Sequence, residues 1–175
     1  MTRPLLFLDA DGVLNPLDPH PDAGFTAHTV LGYRVLLADR HADWLNELAG
    51  TYDLVWATTW EEEANLHLAP LLGLPELPVV RFNGYVAQPD DPKVPLMELL
   101  SARKWAPLLR YARGRPFAWV DDCIPPRLVR RSLLRRDRLL MAIDPVEGLE
   151  RYHVDRLLNR PPAARRFRRA RRPGE

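Results

Sequence analysis

Five short apolar runs punctuate the chain, and four of them stop abruptly on polar residues. Pro4-Leu5-Leu6-Phe7-Leu8 ends at Asp9, and Asp53-Leu54-Val55-Trp56-Ala57 ends at Thr58-Thr59. Phe117-Ala118-Trp119-Val120 ends at Asp121-Asp122, and Leu139-Leu140-Met141-Ala142-Ile143 ends at Asp144. Pro78-Val79-Val80-Arg81-Phe82 is a weaker fifth run. Continuous apolar runs of this length predict strands buried on both faces, the signature of a parallel sheet.

Helical spacing fills the gaps between the runs. Residues 41–50 place Trp44, Leu45 and Leu48 on one face and close on Gly50. Residues 61–72, 95–112, 125–136 and 149–159 show similar spacing. Strands alternating with helices predict an α/β fold, a Rossmann-like three-layer sandwich around a central parallel sheet of about five strands. In such sheets the ligand site lies at the carboxyl ends of the strands, where the polar stops fall. Two segments break the alternation. Residues 13–36 read as a loop and a β-hairpin flap over the end of the first strand, and residues 83–95 as a Pro/Asp/Gly loop. One domain is expected over residues 1–160, followed by a basic, disordered tail over 161–175.

Composition narrows the class. With 175 residues, 46% of them hydrophobic, the chain can bury one core but not two full domains. No run approaches the roughly 18 apolar residues of a membrane span. The start, Met1-Thr2-Arg3-Pro4, lacks the pattern of a secretory signal. A single cysteine, Cys123, excludes an internal disulfide and fits a cytoplasmic location. No Cys/His cluster has zinc-ligand spacing. The net charge of +2 conceals a segregation. Residues 160–172 hold seven Arg and no acid, whereas residues 1–159 carry 18 basic and 22 acidic side chains.

The string Asp9-Ala10-Asp11-Gly12-Val13-Leu14-Asn15 carries the most chemistry. Two carboxylates two positions apart converge on one cation when the backbone turns after the first, and Gly12 permits that turn. A hard cation such as Mg²⁺ takes oxygen ligands and keeps waters that a phosphate can displace. A carboxylate can also attack a phosphoryl group, with a neighbouring acid handling the protons. A calcium loop is a poor alternative, because counting from Asp9 places His20 at its twelfth position.

The string resembles the first motif of the haloacid dehalogenase (HAD) superfamily, an apolar strand followed by Asp-x-Asp-Gly. The remaining motifs of that superfamily have counterparts in order: Val55-Trp56-Ala57-Thr58, then Lys104, then Asp121-Asp122. The chain resembles capless members and is similar to HAD domains associated with RNA-repair proteins, and the resemblance covers about residues 4–158. It implies a Mg²⁺-dependent phosphatase working through an aspartyl-phosphate. By resemblance Asp9 is the nucleophile and a metal ligand, and Asp11 is the general acid/base with its main-chain carbonyl on the metal. Thr58 binds a phosphoryl oxygen, Lys104 neutralises charge, and Asp121 and Asp122 complete the metal shell.

Each assignment has a structural alternative. One residue of register decides between Thr58 and Thr59, and strand alternation favours Thr58. Lys104 could be a solvated helix lysine, with Lys93 as the only other lysine in the chain. Asp122 could simply cap the next helix. Trp60 is either core or a wall of the substrate pocket. The 47 positions between Asp11 and Thr58 are spent on a hairpin and one helix, so no full cap domain is expected. An open site suits a large substrate such as a phosphorylated polymer end, and the 13–36 hairpin or a second subunit could close it. The Arg-rich segment 160–172 is the one hint of a nucleic-acid partner. The rival class is a non-catalytic binding module on the same fold, against which the intact acids argue.

Overall fold

The computed structural model describes residues 2–82 and 96–163, with residues 96–102 as backbone only. The loop expected over 83–95, including Lys93, and the tail from residue 164 onward lie outside the described residues. The described chain runs as β1 (Leu5–Leu8), β2 (Thr26–Val30), β3 (Tyr33–Leu37), α1 (Arg40–Ala49) and β4 (Asp53–Trp56). A π-helical segment (Ala64–Leu68) leads into α2 (Ala69–Leu71). Then come α3 (Leu96–Ala112), β5 (Phe117–Asp121), α4 (Pro126–Ser132), β6 (Arg138–Ala142) and α5 (Arg151–Asn159).

The central sheet is parallel, in the order β4-β1-β5-β6. It has four strands rather than about five. The run at 78–82 contributes only an isolated parallel bridge between Val79 and Trp56. Its backbone follows β4 briefly, through Trp56 N–H to the Pro78 carbonyl and Val80 N–H to the Trp56 carbonyl. Pro75 precedes it and Pro78 begins it, and proline has no N–H to extend a ladder.

Residue alternation sorts the core into two halves. Leu6, Leu8, Leu54, Trp56, Ala118 and Val120 face α1, the π-helical segment and α5. Leu5, Phe7, Val55, Phe117, Trp119 and Leu140 face α3 and α4, packing on Leu108, Ala112 and Leu128. The three layers therefore follow from strand periodicity alone. β1 lies in the middle with all four residues buried, which is why its sequence has no polar position. Each such Leu or Phe stabilises the fold by about 1.5–3 kcal/mol relative to exposure.

The helix expected over 61–72 is interrupted. Pro70 has no N–H to give, and the Ala69 N–H reaches back five residues to the Ala64 carbonyl. Asn65 here accepts hydrogen bonds from Trp56 Nε1 and Leu77 N–H, locking the segment to β4. The helix expected over 125–136 ends at Ser132, after which the chain turns into β6. Residues 161–163 belong to the packed body rather than to the tail. Pro162 is buried, and the Ala163 N–H donates to the Arg136 carbonyl at 2.8 Å. The hairpin β2-β3 forms within the 13–36 segment and runs one residue beyond it, to Leu37. Among the described residues, no helix is long and apolar enough to cross a membrane.

One long-range tie reports on packing between the layers. Tyr52, 1% exposed, donates its hydroxyl to the Leu157 carbonyl at 2.7 Å and so joins the start of β4 to α5. Tyr52→Phe should lower stability by about 1–2 kcal/mol, with urea unfolding showing a lower midpoint and an unchanged slope.

Candidate active site

The register of the sheet brings the polar stops to one edge. Leu8 pairs with both Trp56 and Val120, so Asp9, Ala57-Thr58 and Asp121 emerge side by side. Asp9 shares the alternation of Leu5 and Phe7, and Asp121 that of Phe117 and Trp119. Both carboxylates thus point to the α3 side of the sheet, where Lys104 meets them. The Lys104 ammonium lies 2.5 Å from Asp9 Oδ2 and 2.7 Å from Asp121 Oδ2. All three side chains are almost wholly buried. Lys104 is therefore not a solvated helix lysine.

The other oxygens of the pair are also held. Asp9 Oδ1 accepts the Ala10 N–H at 2.8 Å. Asp121 Oδ1 accepts the Cys123 N–H at 2.8 Å, and Trp119 Nε1 donates to Oδ2 at 3.1 Å. Asp122 packs on the loop after β1. A Cβ on Gly12 would stand 2.6 Å from Asp122 Oδ2, and Gly12 adopts φ +68°. Both the turn and the approach of this carboxylate thus require glycine. Asp122 does not cap α4, whose preceding residue is Pro125.

Asp11 turns away from the buried pair. Its Oδ1 accepts from Asn15 Nδ2 and its Oδ2 from Trp60 Nε1, each at 2.8 Å. Asn15 Oδ1 in turn accepts the Leu36 N–H, also at 2.8 Å, which fixes the hairpin to the motif. Thr58 is wholly buried and its Oγ1 accepts the Trp60 N–H at 3.3 Å, whereas Thr59 is exposed. Trp60 is half-buried, packing on the core while offering its indole N–H to Asp11. A cleft of about 510 Å³ opens beside Asp11, lined among others by Asn15, Tyr33, Arg34, Thr59 and Trp60. The hairpin supplies one wall of this cleft and Trp60 the other, with Tyr33 edge-on to Trp60 at 6.5 Å.

The electrostatics reveal a shortage of positive charge. Burial, and then Asp121, push the Asp9 carboxyl up to about 7, against the pull of Lys104. Burial also raises Asp122. Lys104 resists its own burial because Asp9 and Asp121 raise it further, so it remains charged. Asp9 and Asp121 share the one ammonium of Lys104, and Asp122 lies near enough to feel both Asp9 and Lys104. A divalent ion bound by oxygen donors would offset that excess, so the donor set fits Mg²⁺. Cys123 lies close enough to join Asp121 and Asp122 as a ligand group, within 4.8 Å. Burial and its hydrogen bond to Asp122 raise the Cys123 thiol, however, making it a protonated donor and no partner for a hard cation.

Sequence reasoning brought together the acids, Thr58 and Lys104 but missed Asn15, Tyr33 and Arg34. Asn15 closes the string from Asp9 to Asn15, and that position is its signal. Tyr33 and Arg34 become legible only once the hairpin is folded over the strand ends.

Comparison with protein families matched residues 5–154 to the family described as the HAD domain in Swiss Army Knife RNA repair proteins. Comparison with curated proteins and with solved structures gave no match.

The raised Asp9 carboxyl predicts a pH signature. Its ordinary value is 3.8, so the folded protein binds this proton more tightly than the unfolded chain does. The resulting stability is complete below about pH 4 and is lost as the pH rises through about 7. Urea melts in chelator should show that decline, and Asp9→Asn should flatten it. Added Mg²⁺ should restore stability to the unsubstituted protein above neutrality. Parallel pH profiles for the two proteins would exclude Asp9 as the titrating group.

Proposed function

The chain belongs to the HAD domain family of Swiss Army Knife RNA repair proteins and is a hydrolase of the HAD superfamily; on that premise we propose that it is a Mg²⁺-dependent phosphomonoesterase acting through Asp9. The observation that carries the reading is the Asp9–Lys104–Asp121 cluster, at the strand ends and beside Asp11. Asp9, the main-chain carbonyl of Asp11, Asp121 and Asp122 would hold the ion. When bound, it would neutralise phosphoryl oxygens and orient the phosphorus for in-line attack.

In the first step a carboxylate oxygen of Asp9 bonds to phosphorus as the bond to the leaving oxygen breaks. Asp11 gives that oxygen its proton. In the second step water attacks the phosphorus, Asp11 takes the proton, and phosphate leaves Asp9 as a free carboxylate. Asn15 and Trp60 hold Asp11 in place, and each carboxylate oxygen retains a second lone pair for the proton. Lys104 draws Asp9 toward its ionised form, against burial and Asp121, and stabilises charge on the transferring group. Thr58 binds a phosphoryl oxygen.

The cleft beside Asp11 takes the leaving group. Among the described residues, only a hairpin and one helix intervene between β1 and β4, with no inserted domain. That openness, with the family's description, favours a phosphorylated nucleic-acid end over a small enclosed substrate. Aryl phosphate, nucleoside monophosphates and oligonucleotides phosphorylated at either end would rank the leaving groups.

The two acids of the motif should separate in a mutational test. Asp9→Asn removes the nucleophile, and turnover should fall to background at saturating Mg²⁺. Asp11→Asn keeps the nucleophile but loses proton transfer, at a cost on the order of 10² to 10⁴ in rate. It should act better on aryl than on alkyl phosphate and accumulate a phosphorylated protein detectable by mass. Substantial Mg²⁺-dependent turnover by Asp9→Asn would point instead to a metal-activated water.

A further inference from the structure

The opposite end of the sheet is strongly basic. The turn from α4 into β6, residues 132–138, holds three Arg and one acid, Asp137. With the end of α5 it forms a cleft of about 260 Å³ lined by Arg135, Arg136, Arg138, Arg156 and Arg160. Arg138 begins β6, paired with Phe117 at the start of β5. The cleft therefore lies at the amino ends of the strands. At a rise of about 3.3 Å per residue, the five residues of β6 set it roughly 15 Å from the level of the acids.

The cleft has a fixed floor. Arg138 lies against the rings of Trp105 and Phe117, at 5.6 and 5.5 Å from their centroids. Asp137 grips Arg135 through both carboxylate oxygens, at 3.0 and 2.8 Å. The Arg136 carbonyl holds the Ala163 N–H, so residues 161–163 close one side. The exposed rim is different. Among the described residues, Arg136, Arg156 and Arg160 have no acidic partner. Arg156 and Arg160 stand four apart, one beyond the end of α5, where like charges on neighbouring turns repel by a few tenths of a kcal/mol. Among the described residues no acid offsets this arrangement, which a polyanion would neutralise.

We infer that this cleft binds the phosphodiester backbone of a single-stranded nucleic acid. Arginine forks match phosphate oxygens bidentately. Leu133 on the cleft wall and the adjacent Leu134 are 63% and 89% exposed, offering apolar contact to sugars or bases between the guanidinium groups. The sequence continues the same charge, since residues 164–175 hold six Arg and one acid. A strand seated here could span the sheet and deliver its phosphorylated end to Asp9. Binding stands independently of the chemistry, whereas the link to turnover rests on the phosphatase reading above.

The test compares the full chain with an Arg136→Ala, Arg156→Ala, Arg160→Ala triple variant. The probe is a fluorescent single-stranded oligoribonucleotide with hydroxyl ends, followed by anisotropy across a salt series. Losing three phosphate contacts should reduce the slope of log affinity against log salt by about 2 and weaken binding about tenfold or more. Aryl phosphate turnover should be unchanged, while KM for a long phosphorylated oligonucleotide rises and kcat holds. Arg136→Glu alone serves where the triple variant does not fold. Unchanged affinity and salt slope would overturn the proposal. So would equal competition by polyglutamate or phosphatidylserine vesicles. Oligonucleotide binding without any phosphatase turnover would leave the cleft standing and sink only the catalytic reading.

Discussion

The buried ammonium of Lys104, shared between Asp9 and Asp121, is the contact on which the site depends. Two carboxylates emerging from adjacent parallel strands repel each other, and burial strengthens that repulsion by excluding water. Lys104 reaches them from α3, across the layer boundary, and both hydrogen bonds are short. A buried charge is tolerated when paired and costly when left alone, so none of the three can be removed without disturbing the others. The same contact couples the sheet to α3 at the level where chemistry is proposed. It leaves the site still short of positive charge, which is the property a divalent cation requires of its ligands.

A second, more exposed set of contacts positions Asp11. Asn15 joins it to the hairpin through Leu36, and Trp60 joins it to the end of β4. The two acids of one motif thus live in different environments: Asp9 in a buried ion cluster, Asp11 at the rim of an open cleft. That separation suits the proposed division between a nucleophile and a proton carrier that must meet both leaving group and water. The hairpin is a structural member of the site, since it holds the motif and walls the cleft at once.

Charge is segregated along the sheet axis. The four aspartates of the site gather at the carboxyl ends of the strands, and Arg136, Arg156 and Arg160, which have no acidic partner among the described residues, gather at the amino ends. The fold keeps the two apart by the length of its strands, so the arginines do not neutralise the acids directly. Residues 161–163 join the second group because Pro162 and Ala163 pack back onto the body, continuing the folded chain past the point where composition turns basic.

The sequence by itself determined the layered α/β fold, because strands buried on both faces exclude polar residues from their middles, and β1, β4, β5 and β6 announce themselves as apolar runs with polar residues only at their ends. It also determined which acids lie at the strand ends, because a polar residue ends such a run where the strand leaves the core. The weak run at 78–82 forms only a bridge, since its apolar content is real but Pro78, like Pro75 before it, withholds a donor the ladder needs. The helix expected over 61–72 takes a different form because Pro70 and the Asn65 contacts redirect its hydrogen bonds. Only tertiary structure decided that Lys104 faces Asp9 and Asp121, that Trp60 serves Asp11 while also packing on the core, and that Tyr33 and Arg34 line the cleft. It alone gathered Arg136, Arg156 and Arg160 into one cleft. Those facts depend on contacts between residues far apart in the chain, and local periodicity encodes which way a side chain faces but not what it meets there.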